Sequence, residues 1–260
     1  MKPKPKHLAP KYGAQFKDKS IVDAYRRRPP YPDETFDILT SLITTEPKRV
    51  LDVGCGTGYL ARPLSQRVDR VDAVDISANM IAQGKQLPGG DAPNLHWIEG
   101  AVEDASLSPL YGLVTAGESL HWLDWAVVLP RFRTLLVEDG VLAIVYKRFS
   151  TVPWGAELGT LITQFSTNRD YEPYDLVEEL TSRGLFSKQG EQGTAWMPFR
   201  QTVAAYAESF FSRNGFSRER MGEERAKEFE TAVTNLVQSY QSEEIVEIQV
   251  SGHVVWGKPI

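Results

Sequence analysis

Apolar and polar positions change period along the chain, and each change predicts a different element. From Ser20, the residues Ile21, Val22, Ala24 and Tyr25 mark a short amphipathic helix. Pro29, Pro30 and Pro32 then break it, because proline lacks the amide that a helix needs and restricts the residue before it. Asp33 stands at the head of a second helix carrying Phe36, Ile38, Leu39, Leu42 and Ile43. After Pro47 the pattern becomes an alternation. Short apolar runs at 49–53, 71–75, 95–99, 113–116 and 141–146 read as strands, and the stretches 60–68, 78–86 and 126–136 read as helices. Ser77 caps the helix at 78–86, and Pro88-Gly89-Gly90 ends it. Strands alternating with helices of this length imply a mostly parallel, doubly wound sheet covered on both faces.

The alternation fails after Lys147. Helical patterns rich in aromatics follow at 156–165, 175–183, 203–211 and 219–240, with one short strand near 197–203, and 244–255 alternates again as a strand. The expected division is therefore a flexible basic leader at 1–19, a core at 20–150 and 241–260, and a mostly helical cap at 151–240.

Composition narrows the classes. Hydrophobic residues make up 42% and charged residues 24%, values of an ordinary globular chain that exclude extended disorder. The single cysteine, Cys55, rules out an internal disulfide and thiolate clusters, and the four histidines are too scattered for a zinc site, so no metal is expected. No apolar run approaches the roughly 20 residues that span a bilayer, and no signal peptide is evident, so a cytoplasmic protein without membrane partners is expected. The net charge of −5 hides an asymmetry: residues 1–28 hold nine basic and two acidic side chains, leaving −12 for the rest. The basic arm reads as a solvated terminus or as a patch for polyanions. The acidic body repels phosphate, so nucleic acid is not expected as a partner. The oligomeric state is open.

The chemistry lies in Asp52-Val53-Gly54-Cys55-Gly56-Thr57-Gly58. A buried strand runs into a glycine loop and a helix follows at once, which puts backbone N–H groups at the carboxyl edge of the sheet, where such folds bind nucleotide-like ligands. The spacing is G-x-G-x-G, not the G-x-G-x-x-G of dinucleotide folds. Asp75 ends the next strand, placed to take hydrogen bonds from two ribose hydroxyls.

On these residues the chain resembles the class I S-adenosylmethionine-dependent methyltransferases. Asp52 to Gly58 matches their D-x-G-x-G-x-G motif, and Val71 to Asp75 their second strand with its terminal acid. Ser119-Leu120-His121-Trp122-Leu123-Asp124 is similar to a segment of the small-molecule branch that includes trans-aconitate methyltransferases. Tyr25 to Pro32 is similar to that branch's Y-x-x-R-P-x-Y-P entrance, and Asp139-Gly140-Val141-Leu142-Ala143 to its P-G-G-x-L. The likeness covers about residues 20–150. It implies a Rossmann-like α/β fold with a seven-stranded sheet and a helical cap insertion, S-adenosyl-L-methionine as cofactor, and methyl transfer to a small-molecule acceptor through a carboxylate or hydroxyl. A non-catalytic protein that binds the same cofactor is the alternative, and a nicotinamide-dependent oxidoreductase a weaker one.

The resemblance implies cofactor contacts at Tyr25, Arg28, Asp52, Gly54, Cys55, Gly56, Gly58, Asp75, Ile76, Ala101, Val102, Glu103 and Glu118. Where the family often carries an acid after the third strand, this chain has Ala101, so Glu103 or the Ala101–Val102 backbone would serve adenine instead. Cys55 reads as a small loop residue. His121 either acts as a general base, as its ordinary pKa allows, or shapes the pocket with Trp122; Glu118 and Tyr146 are the other candidate bases. Arg28 could pair with an acceptor carboxylate through two parallel hydrogen bonds.

Overall fold

The protein is described by a computed structural model, over residues 4–108 and 110–260. In chain order the main elements are α1 (Lys19–Tyr25), α2 (Glu34–Ser41), β1 (Arg49–Val53), α3 (Ala61–Ser65), β2 (Arg70–Asp75), α4 (Ala78–Gln86), β3 (Leu95–Glu99), β4 (Tyr111–Gly117), α5 (Trp125–Leu135), β5 (Leu136–Phe149), α6 (Gly155–Phe165), α7 (Leu176–Ser182), β6 (Phe186–Gly193), β7 (Met197–Thr202), α8 (Val203–Ser209), α9 (Glu223–Tyr240) and β8 (Ile245–Pro259). The eight strands run in the order β3-β2-β1-β4-β5-β8-β6, with β7 pairing with β8 beside this path. The five strands from β3 to β5 pair in parallel, and β6 and β7 pair antiparallel with β8.

Contacts divide the chain into two units. The sheet unit comprises Pro30–Arg148, Pro173–Trp196 and Ser251–Ile260. Its central strands are apolar on both faces, as a buried parallel sheet requires. Val50, Val71, Leu113, Val141, Ala143 and Val145 pack with Leu39, Leu60 and Leu64 from the helices. At the amino ends of the strands a polar group is locked in place. Asp72 accepts the Tyr111 hydroxyl at 2.6 Å and the Arg70 guanidinium at 2.8 Å.

The helical unit comprises the N-terminal stretch up to Pro29 together with Phe149–Glu172 and Met197–Val250. Phe229 of α9 is fully buried, with the rings of Phe165, Phe210, Phe211 and Phe216 at centroid distances between 4.8 and 5.9 Å.

Several expectations change. The sheet has eight strands, not seven, because β6 (Phe-Ser-Lys-Gln-Gly-Glu-Gln-Gly) carries one apolar residue and gives no hydrophobic signal. As an edge strand with its side chains largely exposed, it needs none. The expected cap splits: residues 173–196 belong to the sheet unit and the remainder to the helical unit. The described part of the leader, from residue 4 on, folds as well, and Met1, Lys2 and Pro3 lie outside the described residues. Short helical turns over Lys6–Leu8, Pro10–Gly13 and Ala14–Lys17 bury Leu8, Tyr12 and Gln15. The Gln15 Oε1 atom accepts the Gly215 N–H at 2.8 Å, and Asn214 Nδ2 donates to the Tyr12 carbonyl at 2.9 Å. Apolar Leu8 and Tyr12 outweigh Lys11 between them, which stays exposed and pairs with Asp170 at 3.3 Å. The helix expected at 219–240 is broken by Gly222, whose φ of 84° no helix contains.

Candidate cofactor site

The site is assembled by the carboxyl ends of β1, β2 and β4 within the sheet unit. Behind β1 the chain turns through Gly54, Gly56 and Gly58 with φ of 62°, 54° and 79°, the left-handed region that glycine enters without strain. Neighbours also close on two of them. A Cβ on Gly54 would lie 2.6 Å from the Ser119 Cβ, and one on Gly58 would lie 2.6 Å from the Trp97 ring. The loop is anchored at both ends, with the Cys55 N–H donating to the Val74 carbonyl at 3.0 Å and the Gly58 N–H to the Cys55 carbonyl at 2.8 Å.

Asp75 is the organising residue. One carboxylate oxygen accepts the Gly56 N–H at 2.7 Å and the other the Ser77 N–H at 2.8 Å. The end of β2 is thereby tied to the middle glycine of the loop, and the carboxylate stands beside the cradle. Ile76, the next residue, is 51% exposed and offers an apolar face at the same rim.

Asp52 is only 2% exposed. Its Oδ1 accepts the Thr115 hydroxyl at 2.8 Å, while Oδ2 is buried with no hydrogen-bond partner. Burial pushes its pKa up to about 7, helped by the charge of Asp75 and opposed by the Thr115 hydroxyl and the Ala61 amide. Cys55 is buried, and burial together with Asp75 and Asp52 raises its thiol well above the ordinary value. A thiol so disfavoured as thiolate is no nucleophile.

The far wall follows β4. Glu118 has φ of 53°, the one non-glycine residue with positive φ among those described. Its N–H donates to the Val145 carbonyl at 3.0 Å, and its Oε1 accepts the Lys147 N–H at 3.4 Å. Ser119 then donates its hydroxyl to the Val53 carbonyl at 2.6 Å, closing β4 onto the strand that carries the loop. His121 follows in the turn Leu120–Trp122, its ring 4.6 Å from that of Trp122. After β3, Val102 is buried, and Glu103 Oε1 accepts the Asp124 N–H at 3.0 Å, which fixes the stretch Ala101-Val102-Glu103 against the start of α5.

Of the thirteen implied cofactor contacts and His121, twelve thus lie in the sheet unit, and so does Tyr146. Tyr25 and Arg28 belong to the helical unit. There the Arg28 guanidinium lies over the Tyr25 ring at 4.4 Å and donates to the Ser212 hydroxyl at 2.9 Å and to the Ser212 carbonyl at 2.6 Å. Thr115 and Ser119 were missed. Thr115 is the polar residue in the otherwise apolar run Leu113-Val114-Thr115-Ala116, a signal that was available. No group of three or more His, Cys, Asp or Glu side chains that could hold a metal is found among the described residues, and none of their helices is long and apolar enough to cross a membrane.

The loop, the acid that ties it and the buried carboxylate beneath it coincide with a match to the methyltransferase domain family over residues 50–140. That stretch, about a third of the chain, is similar to the methyltransferase domain family. S-adenosylmethionine is the cofactor that the resemblance of the motif implies, and the residues present fit that group: a loop with glycine at 54, 56 and 58 and two carboxylates beside it complement a ligand with ribose hydroxyls and positive charge.

Relatives support the domain and differ in reach. A malonyl-[acyl-carrier protein] O-methyltransferase of Anoxybacillus flavithermus is 37% identical over 87 residues, a third of each chain. An uncharacterised methyltransferase of Mycobacterium tuberculosis is 32% identical over 157 residues, 59% of this chain and 60% of its own. The chain thus spans between a third and three fifths of the length of these relatives. A solved structure from Anaeromyxobacter dehalogenans, described as a candidate type II methyltransferase, superposes with a TM-score of 0.63 over 89% of this chain and 97% of its own, at 21% identity. That likeness shows the shared fold of the methyltransferase domain.

Proposed function

We propose that this protein transfers the methyl group of S-adenosylmethionine to a carboxylate or hydroxyl oxygen of a small acceptor. The observation that carries the reading is the bond from Gly56 N–H to Asp75, which fixes a glycine cradle beside a carboxylate at the carboxyl edge of a parallel sheet. When bound, the cofactor supplies a methyl group already activated on a sulfonium. What remains for the protein is to bind, align and exclude water. Asp75 holds the ribose, Asp52 supplies negative charge beneath the loop, and the β4 end from Glu118 to Trp122 fixes the direction of approach. A relative whose name specifies O-methylation of a malonyl group on a carrier protein supports a carboxylate acceptor, free or carried as a thioester. A single, buried cysteine fits a reducing compartment such as the cytoplasm.

The test is a radiolabelled donor assay over a panel of carboxylic acids, malonyl thioesters, alcohols, amines and nucleic acids, beside calorimetric titration with S-adenosylhomocysteine. Oxygen acceptors should dominate. Binding without transfer to any acceptor would favour a non-catalytic binding protein, and faster labelling of nucleic acid would overturn the acceptor class. His121→Ala separates the two oxygen chemistries. A carboxylate is already ionised and needs no base, so the rate should fall less than about tenfold. A drop of about a thousandfold with cofactor affinity intact would assign His121 as base for a hydroxyl.

A further inference from the structure

Gly56 and Gly58 both sit at positive φ, and the peptide joining Thr57 to Gly58 lies between them. Glycine changes φ and ψ at little steric cost, so such a peptide keeps one orientation only where something outside the loop takes its carbonyl. Arg62, the second residue of α3, does so. Its Nε donates to the Thr57 carbonyl at 3.0 Å, and its Nη1 donates to the Pro88 carbonyl at 2.8 Å. One guanidinium thus joins the glycine loop after β1 to the turn that follows α4. The planar fork suits this task, because its donors point in fixed directions and a charged donor makes a stronger bond than a neutral one.

The loop is packed as closely as it is bonded. The Trp97 indole of β3 meets both the loop and α4: a Cβ added to Gly58 or to Gly84 would lie 2.6 Å from its Cη2 atom. The same Cβ on Gly84 would come within 3.0 Å of the Thr57 carbonyl oxygen, and one on Gly58 within 3.1 Å of the Arg62 Cγ. Trp97 is itself fixed, its Nε1 donating to the Gly90 carbonyl at 2.9 Å. The carbonyl that Arg62 holds belongs to the turn whose Gly56 N–H is bonded to Asp75 and whose Gly58 N–H is bonded to the Cys55 carbonyl. All of these residues belong to the sheet unit.

We propose that Arg62 is a positioning residue for the cofactor: by tying the Thr57 carbonyl to the turn after α4, it keeps the loop from Gly54 to Gly58 in the shape that receives S-adenosylmethionine. It acts through the loop. The inference rests on the cofactor reading given above. A loop released from this tie spends part of its time in other shapes, and apparent affinity falls with the fraction of time lost.

The experiment titrates wild type, Arg62→Met and Arg62→Lys with S-adenosylhomocysteine by calorimetry. It also follows hydrogen exchange of the loop and strand amides in isotope-labelled protein, with and without that ligand. Arg62→Met should raise the Kd about tenfold, the worth of a hydrogen bond from a charged donor. The Gly56 amide of the unliganded variant should exchange about tenfold faster than in wild type, while the amides of β1 and β4 keep their rates. Saturating S-adenosylhomocysteine should restore its protection. Arg62→Lys, which keeps a charged donor but not the fork, should fall between the two. An unchanged Kd in Arg62→Met overturns the proposal. So does a weaker Kd with Gly56 exchange unchanged, which would make charge, not loop shape, the cause. A uniform rise in exchange across loop and strands would mark a general support of the fold and overturn it too. Should Arg62→Met not fold, Arg62→Lys and Arg62→Gln are read by the same criteria. If wild type does not bind S-adenosylhomocysteine, the cofactor reading itself fails and takes this proposal with it, a result distinct from a variant that binds as wild type does.

Discussion

Asp52 and Asp75 are carboxylates two strands' ends apart in sequence, and the fold treats them oppositely. Asp75 is met by two backbone amides. Asp52 is buried with one oxygen bonded to Thr115 and the other unmatched, and faces Asp75 and the Cys55 thiol. Its pKa rises from the ordinary 3.8 to about 7. Between those values the folded state keeps a proton that the unfolded chain has lost. Stability from this group is therefore fullest below pH 4 and falls as pH rises through about 7. Asp52→Asn should flatten that slope in denaturant melts run from pH 4 to 8. An unchanged slope would show that Asp52 ionises normally in the fold. A cationic ligand favours the ionised form, so S-adenosylmethionine affinity should increase as pH rises through 7, and increase more than that of S-adenosylhomocysteine, which has lost the sulfonium charge. At the other carboxylate, Asp75→Ala should weaken cofactor binding by about 1.5–3 kcal/mol, the worth of hydrogen bonds to a charged group. Calorimetry giving an unaltered Kd would remove the ribose assignment.

At the scale of elements, the loop after β1 is the part whose geometry is least replaceable. Gly56→Val should abolish cofactor binding while the far-ultraviolet circular dichroism stays native, because a branched side chain at φ of 54° is strained where the loop must meet its ligand. Normal binding by the folded variant would reduce the loop to a turn. The elements legible in the sequence were those with a strong local signal. Strands β1 and β4 and the middle of β5 are mostly apolar runs, β2 and β3 are short apolar stretches between turn signals, and Ser77 visibly caps α4, its hydroxyl accepting the Met80 N–H at 3.4 Å. Asp139-Gly140 read as the stop after a helix, yet β5 starts at Leu136, because Leu136 pairs with Tyr111 and a register shift takes up the irregularity. In the site, the glycines and both acids stand out by their spacing, and the resemblance that the spacing carries is what implies their cofactor contacts. The bond between Gly56 and Asp75 does not, since it depends on which way an amide points. Nor does the closeness of Lys147 to the rings of Tyr31 and Tyr59, 4.5 and 4.6 Å from its ammonium, since the three come from separate segments joined only by folding.

On the scale of the whole molecule, neither unit is a continuous stretch of chain. The sheet unit needs three segments, and its strand order places β8 between β5 and β6. A fragment of residues 30–148 keeps the cofactor cradle and five parallel strands but leaves β5 without its outer neighbour. Such an unpaired apolar edge invites association. The fragment should elute as soluble aggregate in size-exclusion chromatography, whereas the full chain should not. A monodisperse fragment that binds S-adenosylhomocysteine would show that the parallel half folds alone.

The late position of β8 also sets a clock on biosynthesis. Roughly a hundred residues of translation separate β5 from the strand that covers it, about 5–20 s at ordinary elongation rates of 5–20 residues per second. Throughout that interval the run from Val141 to Val145 waits on the ribosome with one side unpaired. Yield in a cell would then depend on elongation speed and on chaperones that shield nascent strands, even for variants whose finished fold is as stable as wild type.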